Sequence, residues 1–348
     1  MKVRTFVRQL GLPAAIVLLG LGNLFAQSVR PVDRLEDYFQ TVVGLTAAER
    51  QQLRNGRPVT RLLDADPKAE VALFGAIWIN AAPQRYVQAV RDIESFERGD
   101  SFIKTKRISS PPRIEDFAEL KLTEDDFKDL RNCKVGDCEL KLDQAAIDQI
   151  RKEVDWTKPT AKTFTDQMFR QRALDYVKGY LESGNGGLAI YRDKSRPTFV
   201  ADELKSMVDR MPELTTYLPE LRRYLLDYPR GTISGASEFL YWQEAIFGLK
   251  PTVRINHVVI REGAEETVIA SKMLYASHYF WTALELRVLI PDPSRGSGFW
   301  FVNVSRSRSD GLDAFTGRII RNRVRSQSQD SLARSLIATK NRLEVNAR

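Results

Sequence analysis

The sequence predicts an α+β protein: a curved antiparallel sheet packed on a long C-terminal helix, with a large helical insertion in mid-chain. Three observations carry this reading. Residues 71–80 (VALFGAIWIN) are a dense apolar run followed at once by a proline-opened amphipathic segment. Residues 252–306 divide into four stretches rich in Val, Ile, Tyr and Phe, separated by turn residues, which is the pattern of a meander. Beyond them, Leu312, Phe315, Ile319, Ile320, Val324, Leu332, Leu336 and Leu343 recur at three-to-four spacing to the end of the chain.

The elements follow in order. Lys2, Arg4 and Arg8 precede an apolar run over 10–25 that closes on Ala26, which reads as a secretory signal peptide over 1–26. The run is broken by Pro13, Gly11, Gly20 and Gly22 and is shorter than the roughly 20 residues of a membrane span. The mature chain is therefore expected to be periplasmic or secreted. Residues 27–66 form a lead-in with short helices over 34–43 and 46–53, the second capped by Thr46. The apolar run 71–80 reads as a buried strand. Pro83 then opens a helix whose Tyr86, Val87, Val90, Ile93 and Phe96 share a face. A short strand is expected over 103–108.

Residues 111–248 read as the helical insertion. Thr123 and Asp143 sit where helix caps belong, and 162–181 carries Phe164, Met168, Phe169, Tyr176 and Tyr180 on one broad face. Helices are also predicted over 202–211, 213–226 and 236–247. The main domain thus spans 67–345, interrupted by 111–248.

Composition excludes some functions. The net charge of +8 includes three basic residues in the leader, leaving +5, and 303–348 alone holds ten Lys and Arg against four acids. A basic end on an exported chain reads as a solvated helix face or a contact with anionic lipid, not as a nucleic-acid site. Arg318, Arg321 and Arg325 form its stripe. The only cysteines, Cys133 and Cys138, flank a Gly-Asp turn and are expected to pair in an oxidising compartment, closing a loop worth about 2 kcal/mol. Their spacing is not that of a redox Cys-x-x-Cys motif. No nucleophile elbow, zinc helix, phosphate loop or calcium loop is present, and the two histidines, His257 and His278, are too few and too scattered for a metal site. No cofactor is called for.

The order of 71–108 and 250–345 resembles the helix-grip fold of START-like lipid-transfer domains. Asn80-Ala-Ala-Pro83 looks like the strand-to-helix opening of that superfamily, and 270–280 like one of its long central strands. The resemblance implies an apolar cavity between the sheet and the terminal helix. It makes Trp78, Tyr275, His278, Tyr279, Trp281, Trp300, Phe315 and Ile319 the candidate ligand contacts, with a lipid-like or other hydrophobic molecule as partner. The leading expectation is a non-enzymatic binding protein. An enzyme using the same cavity, with His278 as acid or base, is the first alternative, and a structural or partner-binding envelope protein is the second. His257 is expected to point inward. Lys272, within an otherwise apolar strand, is expected to point out.

Overall fold

The computed structural model describes residues 30–99, 101–246, 250–310, 312 and 317–345, with side chains described for all of these but 317–324. The leader 1–26 and Phe315 lie outside the described residues, as do the side chains of Arg318, Ile319 and Arg321.

Two helices, α1 (Pro31–Thr41) and α2 (Ala47–Arg54), open the chain. Thr46 caps α2 in a reciprocal box with Glu49. Strand β1 (Val59–Leu62) is a short edge strand that four residues without alternation did not announce. Strand β2 (Glu70–Ile79) is buried along its whole length and leads through Pro83 into α3 (Pro83–Arg91) and α4 (Ile93–Phe96). Strand β3 (Phe102–Ile108) follows.

The insertion holds α5 (Glu124–Asn132), α6 (Gln144–Glu153), α7 (Ala161–Ser183), a two-stranded ribbon of β4 (Ile190–Tyr191) and β5 (Thr198–Phe199), α8 (Val200–Val208), a π turn over Glu213–Tyr217 and α9 (Pro219–Asp227). The meander comprises β6 (Ala236–Ile246), β7 (Pro251–Glu262), β8 (Thr267–Ala276), β9 (Phe280–Pro291) and β10 (Phe299–Ser309). Helix α10 (Gly317–Val345) ends the chain. Among the described residues no helix is long and apolar enough to cross a membrane.

Among the described residues, eight strands form one antiparallel sheet in the order β1-β2-β10-β9-β8-β7-β6-β3. The first strand of the grip and the last, β2 and β10, are therefore neighbours, and the terminal helix returns across β2 and β1. This is a helix-grip-like α+β fold.

The sheet has two covered faces. On the grip face, Ile77 and Ile79 of β2, Phe299 and Phe301 of β10, and Phe239 and Tyr241 of β6 pack with Tyr86, Val87 and Val90 of α3 and Leu336 and Leu343 of α10. Gly75 makes room for that helix: a Cβ there would lie 2.9 Å from the side chains of Leu332 and Leu336. On the outer face, Phe74, Trp242, Val259, Leu286 and Val304 pack with α1, α7, α8 and α9.

Double coverage explains two departures from expectation. The segment 236–247, expected as a helix, is β6, paired with β3 and β7. Its Phe239-Leu240-Tyr241-Trp242 run is buried on both faces, so the two-residue alternation that marks a half-exposed strand is absent. Lys272, expected to point out, is 1% exposed, because the face it points to lies beneath the insertion. The basic C-terminal stretch is likewise partly internal. Arg306 and Arg308 are buried on Glu70, which is 0% exposed, at 2.8 and 3.2 Å. Arg210 and Glu203 of the α8 region, with Asp66 at 3.6 Å from Arg308, join the cluster.

Candidate functional site

An apolar hollow lies between the outer face of the sheet and the insertion, on the opposite side of the sheet from the terminal helix and so not where the helix-grip resemblance implies it. It has about 750 Å³ of empty space including its solvent-open mouth. Val253 and Ile255 of β7 and Tyr275 of β8 form its floor; Phe169, Ala173 and Tyr176 of α7, with Leu120, Leu122 and Leu142, form its walls.

The polar groups at its margin come from helix starts. Asp126 is the third residue of α5, where its Oδ2 accepts from the backbone N–H of Thr123 at 2.8 Å and its Oδ1 meets His278 Nε2 at 2.9 Å. Burial alone would raise its pKa, but the hydrogen bonds from His278 and Thr123 outweigh that and hold the carboxyl below its ordinary value. Asp143 caps α6 by accepting from Ala146 N–H at 2.6 Å, and both its oxygens also accept from one nitrogen, Arg172 Nη2, at 2.8 and 2.9 Å.

Lys141, 1% exposed, is paired with Asp193 at 3.3 Å and with Asp310. The Tyr176 hydroxyl donates to the carbonyl of Leu274 at 2.6 Å, Tyr191 accepts from Ala276 N–H at 3.3 Å, and Ser277 Oγ accepts from Val253 N–H at 3.0 Å. Every polar side chain of the lining is thus bonded within the protein except Tyr275, whose hydroxyl makes no hydrogen bond among the described residues.

Just upstream of this lining, Cys133 and Cys138 are joined, with sulfurs 2.09 Å apart and Cα atoms 4.5 Å apart. The backbone N–H groups of Gly136 and Cys138 inside the closed loop donate to the carbonyls of Arg192 and Asp193 at 2.7 and 2.9 Å. The disulfide therefore fixes the irregular segment that delivers Lys141 and Leu142 to the hollow.

The residues singled out from sequence fall into two groups. Tyr275 lines the hollow. His278, 3% exposed, stands behind Asp126; its Nδ1 donates to the carbonyl of Glu139 at 3.2 Å, so both ring nitrogens face acceptors. Tyr279 turns the chain between β8 and β9 with a φ of 61° and accepts from Lys250 N–H at 2.9 Å. Trp281 donates to Asp310 at 2.5 Å.

Trp78 and Trp300 are elsewhere. They are cross-strand partners with rings 5.2 Å apart, under the Arg295 guanidinium at 4.6 and 4.9 Å. Trp281 is beside Arg308, eight residues along β10 from Trp300, or roughly 25 Å. One small ligand does not touch both groups. Arg325 is half-buried on α10.

A second cluster lies on the same outer face. Lys272 and His257 are cross-strand partners of β8 and β7. The Lys272 ammonium reaches Asn185 Oδ1 at 3.0 Å and lies over the rings of Tyr180 and Tyr228 at 4.8 and 5.5 Å. Burial pushes its pKa down to about 7. Tyr180 OH meets His257 Nδ1 at 2.9 Å, and His257 Nε2 meets Glu238 at 3.3 Å. Burial holds His257 below its ordinary value against the pull of Glu238. Glu238 is held down to about 2, chiefly by the hydrogen bond from His257. The backbone of Gly184 (φ 57°), which ends α7, touches this cage: a Cβ there would fall 1.6 Å from the carbonyl oxygen of Tyr228.

Asp126, Lys141 and Arg172 were not singled out from sequence. The signal available was the pair of helix caps, because Thr123-x-x-Asp126 and Asp143 both announce a carboxylate fixed at a helix start.

No protein-family model and no curated protein matches the chain. Solved structures of norcoclaurine synthase from Thalictrum flavum are distantly similar. A point mutant with a transition-state analogue aligns at TM-score 0.18 and 11% identity, covering 40% of this chain and 88% of that one. The enzyme with dopamine and hydroxybenzaldehyde aligns at TM-score 0.17 and 11% identity, covering 40% and 80%. Likeness this slight decides nothing about what this chain binds.

Proposed function

We propose that this protein is an exported, non-enzymatic binding protein that holds an apolar small molecule, lipid-like in character, in the hollow between the sheet and the insertion. One observation carries the reading: the hollow's polar lining is already satisfied within the protein, so what it offers a ligand is apolar surface and the single hydroxyl of Tyr275. Ligand sites are commonly built this way, from apolar walls with few orienting polar groups. His278 has no ring nitrogen free to exchange a proton with a ligand, which favours binding over acid–base chemistry.

Residues 27–348, secreted into an oxidising compartment and purified without detergent, test the proposal by titration with diphenylhexatriene, an uncharged apolar fluorophore. Saturable binding is expected. Ala173→Trp, which fills the hollow from α7, should weaken it at least tenfold with the melting temperature preserved. Absent binding, or equal binding by the folded variant, would overturn the reading.

A further inference from the structure

A different hollow lies on the outer face over β9 and β10, beneath α1. It has about 540 Å³ of empty space including its mouth. Leu286, Val288 and Ile290 of β9 and Val302 and Val304 of β10 are its floor; Leu35, Tyr38, Tyr217 and Leu218 close over them. Two carboxylates reach this apolar lining: Glu266, paired with Arg34 and Arg261, and Glu213, 5% exposed. Its Oε1 accepts from the Tyr38 hydroxyl at 2.6 Å. Its Oε2 is buried with no hydrogen-bond partner, and Glu213 makes no ion pair among the described residues.

A buried carboxylate oxygen with no donor is strongly disfavoured unless something supplies one. The backbone that presents it is itself unusual. Glu213–Tyr217 is a π turn, with Leu218 N–H donating to the Glu213 carbonyl at 2.9 Å, and such turns concentrate at functional sites. No nearby cation hydrogen-bonds Glu213. Arg34 at the mouth pairs with Glu266 at 3.5 Å, and the next inward-facing residue of β10, Arg306, gives Nη1 to Glu70 at 2.8 Å and to the Asp64 carbonyl at 3.1 Å while its Nε is buried without a partner.

We propose that the hollow beneath α1 is a second ligand site, taking an apolar molecule that ends in a protonated amine, with Glu213 Oε2 as acceptor. The amine supplies both things that the buried oxygen lacks, a donor and an opposite charge. An alcohol supplies only the donor, and a carboxylate supplies neither in its ionised form. The apolar body lies on Leu286, Val288 and Val302.

Calorimetric titration of the full chain with dodecylamine, dodecanol and dodecanoate tests this. Dodecylamine is expected to bind at least tenfold more tightly than either. Glu213→Gln should remove that preference, and Val288→Trp, which fills the floor, should weaken dodecylamine at least tenfold. Ala173→Trp, in the other hollow, should leave it unchanged. Equal affinity for amine and alcohol, or an amine preference that survives in folded Glu213→Gln, would overturn the assignment of the head group. Should Glu213→Gln fail to fold, Val288→Trp decides: undiminished dodecylamine binding there overturns the site, as does absence of binding to the parent chain.

Discussion

On the grip face, Tyr86 and Phe301 meet edge to face at 4.8 Å, beside Leu336 and Leu343 of the terminal helix. On the outer face of the same sheet, the insertion and α1 leave two apolar hollows and enclose Lys141, Lys272, His257, Glu213 and the Glu70–Arg306–Arg308 cluster. Both faces bury polar groups, since on the grip side Arg254 meets Gln243 and Glu97, and Arg287 meets Glu285; what differs is how the covering elements hold them. The α3 and α10 elements bring mostly apolar side chains to a shared apolar stripe. The elements on the outer face bring helix caps, buried ion pairs and a π turn, which hold polar atoms in place without filling the space between them.

Three measurements bear on that contrast. The largest effect is expected at the charged hub. Glu70→Ala leaves Arg306 and Arg308 buried without their shared partner and should cost about 3–5 kcal/mol in urea unfolding. A loss below about 1 kcal/mol would mean that water reaches these arginines and that the outer face is looser than described.

Next comes the grip face. Leu336→Ala removes a side chain 1% exposed against Gly75 and should cost about 2–4 kcal/mol while leaving both ligand titrations unchanged. Altered ligand affinity in that variant would tie the two faces together.

The smallest effect is a pH slope. The folded chain releases the Lys272 proton near pH 7, whereas the unfolded chain keeps it to about 10.5, so the unfolded state binds more protons between those values. Stability should therefore rise with pH across that window, by at most about 1.4 kcal/mol for each unit. The increment should vanish in Lys272→Met. Parallel pH profiles for the two proteins would show that water hydrates the ammonium.

The same contrast explains what could be read from sequence. The run 71–80, Pro83 and the terminal helix were legible because each carries a local pattern: an unbroken apolar strand, a proline at a helix start, a three-to-four repeat. Strand β6 was not, since burial on both faces erased its alternation and left Glu238, Gln243 and Glu244 to suggest a helix. Tyr275 could be proposed from its place in an aromatic-rich strand. Its neighbours in the hollow could not, because Asp126 and Tyr275 are 149 positions apart and only the packing of α5 and α7 on β7 and β8 joins them. Glu213 carries no sequence signal at all, as only the fold brings Tyr38 of α1, 175 positions away, against it.

Gly184 has a reach beyond its own turn. The tyrosine cage closes over Lys272 only because the end of α7 rests directly on the Tyr228 carbonyl, where a single methyl group would not fit. A larger residue there would lift Tyr228 off its stack with Tyr180, whose rings are 5.0 Å apart, and open a path for water. Through a position that carries no side chain, the protein sets how tightly a lysine on a distant strand holds its proton.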